Sequence, residues 1–304
     1  MYQINNAYPQ DLEEVFSFQV QCDIAEFGEQ DSSRDDLEEL WSEIDPARDA
    51  FLVRKDSGGL VGYGCVSGAH SGLQVDIYVD PHSSPEGVED ELMRACVARA
   101  GRRFSIEKTH LEVHLTGYAS VTNPRSVSLF KRWGFNEQKR HYNMAVELPG
   151  NYPVPQWPTG YKLSAFAPGE EHELYEFIEK AFSRPDREPS TFEFWRNLLL
   201  RGGRYEPELF LMVREGERIV GAALSYAEET GGWVRQLAVA SDQRGKGLGS
   251  LMLQQLFSQF SRRGVKRVAL AVSAENANAL RVYERAGMHR SREFIEYQIT
   301  IYNL

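Results

Sequence analysis

The sequence predicts an α/β protein made of two tandem, related domains. Three observations carry that prediction: an internal repeat, a proline-rich break at the midpoint, and apolar patterns that switch between strand and helix periods. Asn276, Tyr283 and Gly287 stand 153 residues after Asn123, Phe130 and Gly134, and each block follows an alternating apolar stretch, 268–272 or 111–115. The break covers 148–160, with four prolines and two glycines. That composition precludes a helix and favours an extended, semi-rigid connector. The domains therefore read as 1–148 and 161–304, with 149–160 between them.

In the second half, 161–166 alternates like a strand and 170–182 has the spacing of an amphipathic helix. Residues 191–200 read as a short helix with Ser190 or Thr191 as N-cap. Strands at 209–213 and 219–226 make a hairpin across the polar turn 214–218. A strand at 233–240 precedes a helix at 247–263 ended by Gly264, and a strand at 265–273 precedes a helix at 278–286 closed by Gly287. A last strand covers 294–302. The first half repeats this plan: helices within 11–41, a hairpin at 51–66, a strand at 74–79, a helix at 88–100, then the repeated block.

At 304 residues, 42% hydrophobic and 26% charged, the chain can bury two separate cores. The net charge of −10 is uneven: 1–150 hold 14 basic against 25 acidic residues, and 151–304 hold 20 against 19. This balance argues against nonspecific nucleic-acid binding, which depends on Lys and Arg neutralising phosphate. No apolar run approaches the roughly 20 residues of a membrane helix, and the first residues lack the basic and apolar regions of a signal peptide. Cys22, Cys65 and Cys96 are too few and too scattered for a disulfide framework or a metal site. They fit buried thiols in a reducing cytoplasm. The acidic run around Asp35, Asp36, Glu38 and Glu39 reads as a solvated helix face, or as a surface that attracts a cationic substrate.

The chemistry concentrates after the strand at 234–239, where Arg244, Gly245, Lys246, Gly247, Leu248, Gly249 and Ser250 lead into an apolar helix. The glycines let backbone approach a ligand closely. The helix start aims unpaired N–H groups and the positive dipole end at the same place. With Arg244 and Lys246 adding cationic reach, the segment makes a pyrophosphate cradle. It is not a Walker A loop, because Ala240 stands at the first glycine position and no Gly-Lys-Ser/Thr closes it. Nor is it a dinucleotide fingerprint, since Ser250 stands where a glycine is needed.

This loop, followed by Asn276, Asn278, Tyr283 and Gly287-Met288, resembles the GNAT (Gcn5-related) N-acetyltransferases. The best match covers about 234–288, and the two-domain layout is similar to the tandem, mycothiol-synthase type of the family. The resemblance implies, for each domain, a mixed, mostly antiparallel sheet flanked by helices. It implies acetyl-CoA as cosubstrate, with its pyrophosphate on 244–250, and no metal. Asn276 and Asn278 would lie along the pantetheine arm and Tyr283 at the thioester sulfur. Leu237, Ala238 and Val239 form the strand end whose free N–H groups (those of Leu237 and Val239) would polarise the thioester carbonyl like an oxyanion hole.

The residues read by themselves agree. Acetyl transfer needs an unprotonated amine, a held thioester, and a proton for the departing thiolate. Tyr283 can supply that proton; its plainer reading is a core aromatic. Glu228 is the candidate general base, acting through a water, with Glu229 and Glu193 as further possibilities. The first half reads as degenerate. Its equivalent segment, 80–91, has one glycine, two prolines and several acids that would repel phosphate, and Phe130 replaces the tyrosine. His70 and His82 read as incidental. The expected function is transfer of acetyl from acetyl-CoA to the primary amine of a small acceptor. A protein or peptide acetyltransferase and a non-catalytic acyl-CoA-responsive regulator stay open at this point.

Overall fold

The computed structural model describes residues 2–69, 72–82, 85–107, 112–183, 189–200 and 205–302. His70, Ser83, Ser84 and the expected strand start at Leu111 lie outside them. The chain forms two units, Met1–His141 with Glu293–Leu304, and Tyr142–Arg292.

The first unit contains β1 (Tyr2–Asn6), α1 (Leu12–Phe27), α2 (Arg34–Glu43), α3 (Pro46–Asp49), β2 (Ala50–Lys55), β3 (Leu60–Ala69), β4 (Gly72–Val79), α4 (Val88–Glu107), β5 (Glu112–Ser120) and α5 (Pro124–Arg132). Its strands lie in the order β1-β2-β3-β4-β5, antiparallel except for β4 with β5. Helix α4 sits close on β3 because Gly62 and Gly64 face it. A Cβ at Gly62 would come within 2.8 Å of Val88. A strand β6 (Asn136–Glu147) then leads into the second unit.

The second unit holds β7 (Tyr161–Ala165), α6 (Glu171–Ala181), α7 (Phe192–Leu200), β8 (Phe210–Glu215), β9 (Arg218–Glu228), β10 (Gly231–Val239), α8 (Leu248–Arg262), β11 (Arg267–Ser273), α9 (Ala277–Arg285) and the start of β12 (His289–Tyr302). Its order is β7-β8-β9-β10-β11, again with one parallel pair, β10 with β11. The mixed, mostly antiparallel sheet is thus present in both units. Helix α8 closes on β9 at Gly221, where a Cβ would meet the Met252 sulfur at 3.0 Å.

The unit boundaries depart from the sequence reading at both ends of the repeat. Residues 294–302 pair antiparallel with β5 of the first unit, and Ile295 and Tyr297 are buried in that unit's core. Conversely Met144, Val146 and Leu148 belong to the core of the second unit, where the Leu148 N–H donates to the Lys266 carbonyl at 2.7 Å. In each case the outer strand of the parallel pair gains a partner and its edge is no longer exposed. Strands β1 and β6 escaped the sequence reading. The proline-rich connector is also not a free spacer. The Tyr152 N–H donates to Ser261 Oγ at 3.1 Å, Ser261 Oγ donates to the Pro149 carbonyl at 2.8 Å, and Tyr152 meets Phe257 edge-on at 5.5 Å. It therefore lies along α8.

The repeated block has a structural explanation in both units. Asn123 Oδ1 accepts from the Ser126 N–H at 3.0 Å, and Asn276 Oδ1 accepts from the Ala279 N–H at 3.1 Å, so each asparagine caps a helix. Gly134 (φ +77°) and Gly287 (φ +94°) close those helices in the left-handed conformation.

Because 294–302 completes the first unit, truncation after Arg292 should unfold that unit and spare the second. Hydrogen exchange would then show protection lost in β4 and β5 but retained in α8 and β9. Loss confined to the second unit would contradict this assignment.

Candidate active site

The site of the second unit starts from a backbone irregularity. Between Val234 and Gln236 the pairing of β10 with β9 slips by one residue, a bulge at Arg235. On its other edge β10 pairs with β11 only through Gly232–Val268 and Trp233–Ala269. Beyond the bulge the Ala240 N–H donates to Val220 on the β9 side at 2.9 Å. By strand alternation the N–H groups of Ala238 and Gln236 also face β9, and those of Leu237 and Val239 face the edge that β11 has left. The Val239 carbonyl on that edge accepts from Arg244 Nε at 3.2 Å. The Ala238 side chain is buried and fixes the strand end.

The loop that follows needs its glycines. Gly245 and Gly247 sit at φ +80° and +85°, where a side chain is strained. Gly247 is the N-cap of α8 and supplies no side-chain cap. The first helical bond runs from the Leu251 N–H to the Gly247 carbonyl at 3.1 Å. The N–H groups of Leu248, Gly249 and Ser250 therefore lack intrahelical acceptors. Leu248 anchors the turn with its buried side chain. Gly249 serves packing: a Cβ there would lie 3.2 Å from Val282 on α9.

The charges around the loop favour an anion. Arg244 and Lys246 are exposed, and Lys246 Nζ donates to Gln243 Oε1 at 2.8 Å. The same oxygen accepts from the Tyr161 hydroxyl at 2.9 Å, while Gln243 Nε2 donates to Glu215 at 2.9 Å. Gln243, buried at the centre of these bonds, was not singled out by sequence reasoning; its position just before Arg244 is the only signal. Nearby acids are occupied, since Arg218 pairs with Asp242 at 2.8 Å and with Glu215 at 3.2 Å. The Arg218 guanidinium holds the Asp242 carboxyl below its usual range.

Helix α9 brings Tyr283 into the same core on which Leu237, Val239 and Val282 pack. Tyr283 is 9% exposed, and burial pushes its hydroxyl up to about 12. Asn276 is engaged as the N-cap, and Asn278 Oδ1 accepts from Arg281. Both asparagines are exposed. Glu228 is not brought to this group. It pairs with Gly231 at the far end of the hairpin, whereas Leu237 pairs with Ala223. Five residues of strand at about 3.3 Å each put Glu228 about 17 Å from that level. Glu229 lies beyond it in the turn, and Glu193 is on α7.

The first unit has the same turn with different chemistry. Gly87, at φ +85°, precedes α4 as Gly247 precedes α8. Pro85 stands two residues before it and removes an N–H. At the helix start Glu89 pairs with Arg125 at 2.7 Å, and Asp90 pairs with Arg132 at 2.9 Å and accepts from Trp133 Nε1 at 2.8 Å. Carboxylates of the chain itself take up the helix terminus and the nearby cations. The register of β3 with β4 carries no bulge. Phe130, at the Tyr283 position, stacks on Tyr297 with ring centroids 5.2 Å apart.

A splayed parallel strand pair, a bulge, and a glycine-rich turn opening a helix define the fold of this unit. Residues 171–288 match the acetyltransferase (GNAT) family model. That segment of the second unit is thus a GNAT acetyltransferase domain, a family that uses acetyl-CoA. It is 27% identical to a mycothiol acetyltransferase of Geodermatophilus obscurus, over 80% of this chain and 79% of that protein. It is 28% identical to that of Streptomyces coelicolor, over 80% and 78%. Among solved structures, a GCN5-related N-acetyltransferase from Sphaerobacter thermophilus superposes with a TM-score of 0.86 and 28% identity, covering 99% of this chain and 96% of that one. A tandem GNAT protein from the clavulanic acid biosynthesis pathway has a TM-score of 0.72 at 15% identity, over 99% and 98%, a likeness of fold.

Calorimetric titration should find one acetyl-CoA site per chain. Gly247→Val forces a β-branched residue to a positive φ at about 1–3 kcal/mol of strain, and affinity should fall about tenfold or more. Two equivalent sites would contradict the contrast drawn between Pro85–Glu89 and Gly245–Gly249.

Proposed function

We propose that the second unit transfers the acetyl group of acetyl-CoA to the primary amine of a small acceptor, with the cosubstrate on 237–250 and Tyr283 at the leaving sulfur. The observation that carries this reading is the joint placement of an open β10 edge, an uncapped α8 start with positive side chains, and a buried phenol in one unit. In this reading Gly245, Gly247, Leu248, Gly249 and Ser250 offer N–H groups to the pyrophosphate, with Arg244 and Lys246 as cations. The amine nitrogen attacks the thioester carbon while the Leu237 and Val239 N–H groups stabilise the oxyanion. The tetrahedral intermediate collapses, the C–S bond breaks, and Tyr283 donates its proton to the thiolate; the proton released by the new amide balances that transfer. Asn278 and the amide nitrogen of Asn276 remain available to the pantetheine arm.

The acceptor is a small molecule in this reading, which the mycothiol acetyltransferase names of the relatives support. The base is where the sequence expectation changes. Glu228 stands too far along the hairpin to serve even through one water, and 233–239 contain no carboxylate. The acceptor amine therefore reacts as the free base and gives its proton to solvent.

Tyr283→Phe should lower turnover about 10²–10⁴-fold and leave acetyl-CoA affinity within about threefold, since only a hydroxyl is lost. Free-thiol release with an amine panel, beside calorimetry, measures both. Equal turnover in the variant, with chemistry rate-limiting, would return Tyr283 to a packing role. No thiol release with any amine would favour the non-catalytic reading.

The pH profile gives a second test. A phenol pushed up to about 12 stays protonated below that value, so no decline from its ionisation appears at neutral or moderately alkaline pH. kcat/KM should rise with the free-amine fraction of the acceptor and level off near the acceptor's own pKa. Glu228→Gln should follow the same curve. An enzyme group titrating near neutrality, lost in Glu228→Gln, would restore that glutamate as base.

A further inference from the structure

The first unit has a cavity of about 280 Å³, open to solvent on one side, between the α1–α2 side and strands β3 and β4. Its walls carry polar groups with room for a further partner. Asp76 accepts from Gln74 Nε2 at 3.1 Å on each oxygen and has the Cys65 thiol at 4.0 Å. Among the described residues no Lys, Arg or His pairs with it. Burial pushes its carboxyl above the usual range. Gln19 of α1 lines the cavity at only 7% exposure and makes no hydrogen bond among the described residues. The Tyr78 hydroxyl, also on the wall, has none either. Polar side chains on one cavity wall that no other protein group engages can each take a hydrogen bond from a ligand, which is why they point to one.

The cavity is also built to keep its shape. Asp23, buried in α1, accepts from the Asp31 and Ser32 N–H groups at 3.0 and 2.6 Å and fixes the loop that forms one wall. Trp41 Nε1 donates to the Tyr63 hydroxyl at 3.0 Å, which fixes a second wall. Every charged residue on the lining is an aspartate. That sign repels phosphates and carboxylates and leaves a cation as the matching charge.

We propose that this cavity binds a small molecule bearing an aliphatic ammonium group, with the ammonium on Asp76 and its polar remainder on Gln19 and Tyr78. The site is separate from acetyl transfer, because the unit around it has no bulge between β3 and β4 and carries paired acids at the α4 start, where a CoA pyrophosphate would need cations. It binds and does not acetylate. The inference does not depend on the reading of Tyr283.

The test uses the full chain and calorimetric titration with spermidine and D-glucosamine as cationic probes and N-acetyl-D-glucosamine as the neutral control. At least one cationic probe should bind and the control should not. Asp76→Asn should weaken that binding about tenfold or more, as expected for loss of a charge-assisted bond. Gln19→Leu should weaken it less, and Tyr283→Phe should leave it unchanged. Asp76→Asn is isosteric and removes a charge that lacks a counter-ion, so its Tm without ligand should equal or exceed that of the unaltered chain. Should this variant fail to fold, Gln19→Leu and Tyr78→Phe carry the comparison. The proposal is overturned if neither cationic probe binds at millimolar concentration, if the neutral control binds equally well, or if the variants of Asp76, Gln19 and Tyr78 leave binding intact.

Discussion

Two strands that run parallel for two residues and then part determine what the second unit can do. β10 and β11 share only the Gly232–Val268 and Trp233–Ala269 pairs. Past that point β10 remains bonded to β9 on one edge and carries unpaired donors on the other. Unmet backbone groups are costly inside a protein, so a strand end of this kind is stable only beside solvent or a ligand. The surrounding glycines hold the gap in place. Gly221 lets Met252 bring α8 onto the sheet, and Gly249 lets Val282 bring α9 against α8. Larger residues at either place would shift the helix whose first turn faces the same gap.

The glycine-rich turn before α8 was legible in the sequence because its constraints are local. Two glycines at positive φ, an uncapped helix start and flanking cations occupy seven consecutive residues, and a helix must follow them. The repeat was legible for a related reason. An asparagine N-cap and a glycine C-cap bracket a short amphipathic helix in both halves, so the spacing survives even where Tyr283 has become Phe130. That same capping accounts for Asn276, and a cosubstrate contact is not needed to explain its presence in both copies.

What stayed hidden depends on partners distant in sequence. Residues 294–302 alternate as any strand does, and nothing in them specifies β5 as the neighbour. Glu228 ends the strand before β10, yet the hairpin pairs it with Gly231 and sets it at a different level of the sheet from Leu237. The bulge at Arg235 has no glycine or proline to announce it. Asp76 was equally silent. Gln74, Asp76 and Tyr78 alternate with Leu73, Val75 and Ile77 as the polar face of a strand ordinarily would, and only the fold shows that helices cover this face.

The two copies have diverged in opposite electrostatic directions, and each direction is self-consistent. In the second unit Arg218 satisfies Glu215 and Asp242, which leaves Arg244 and Lys246 as the charges that an arriving anion meets. In the first unit Glu89 and Asp90 occupy the helix start and bind Arg125 and Arg132, so the cations there are already matched. A phosphate arriving at α4 would have to displace two carboxylates from their arginines, and Pro85 would still withhold a donor. Restoring glycines alone would not restore that function, because the acids now stabilise the helix dipole and tie α5 to α4. The acidic residues of the 11–49 stretch show a similar economy. Glu13 pairs with Arg34, Asp11 and Glu14 with Arg54, and Asp49 with Arg99, so these carboxylates serve the fold of the first unit itself. Asp76, by contrast, accepts from Gln74 and pairs with no cation among the described residues.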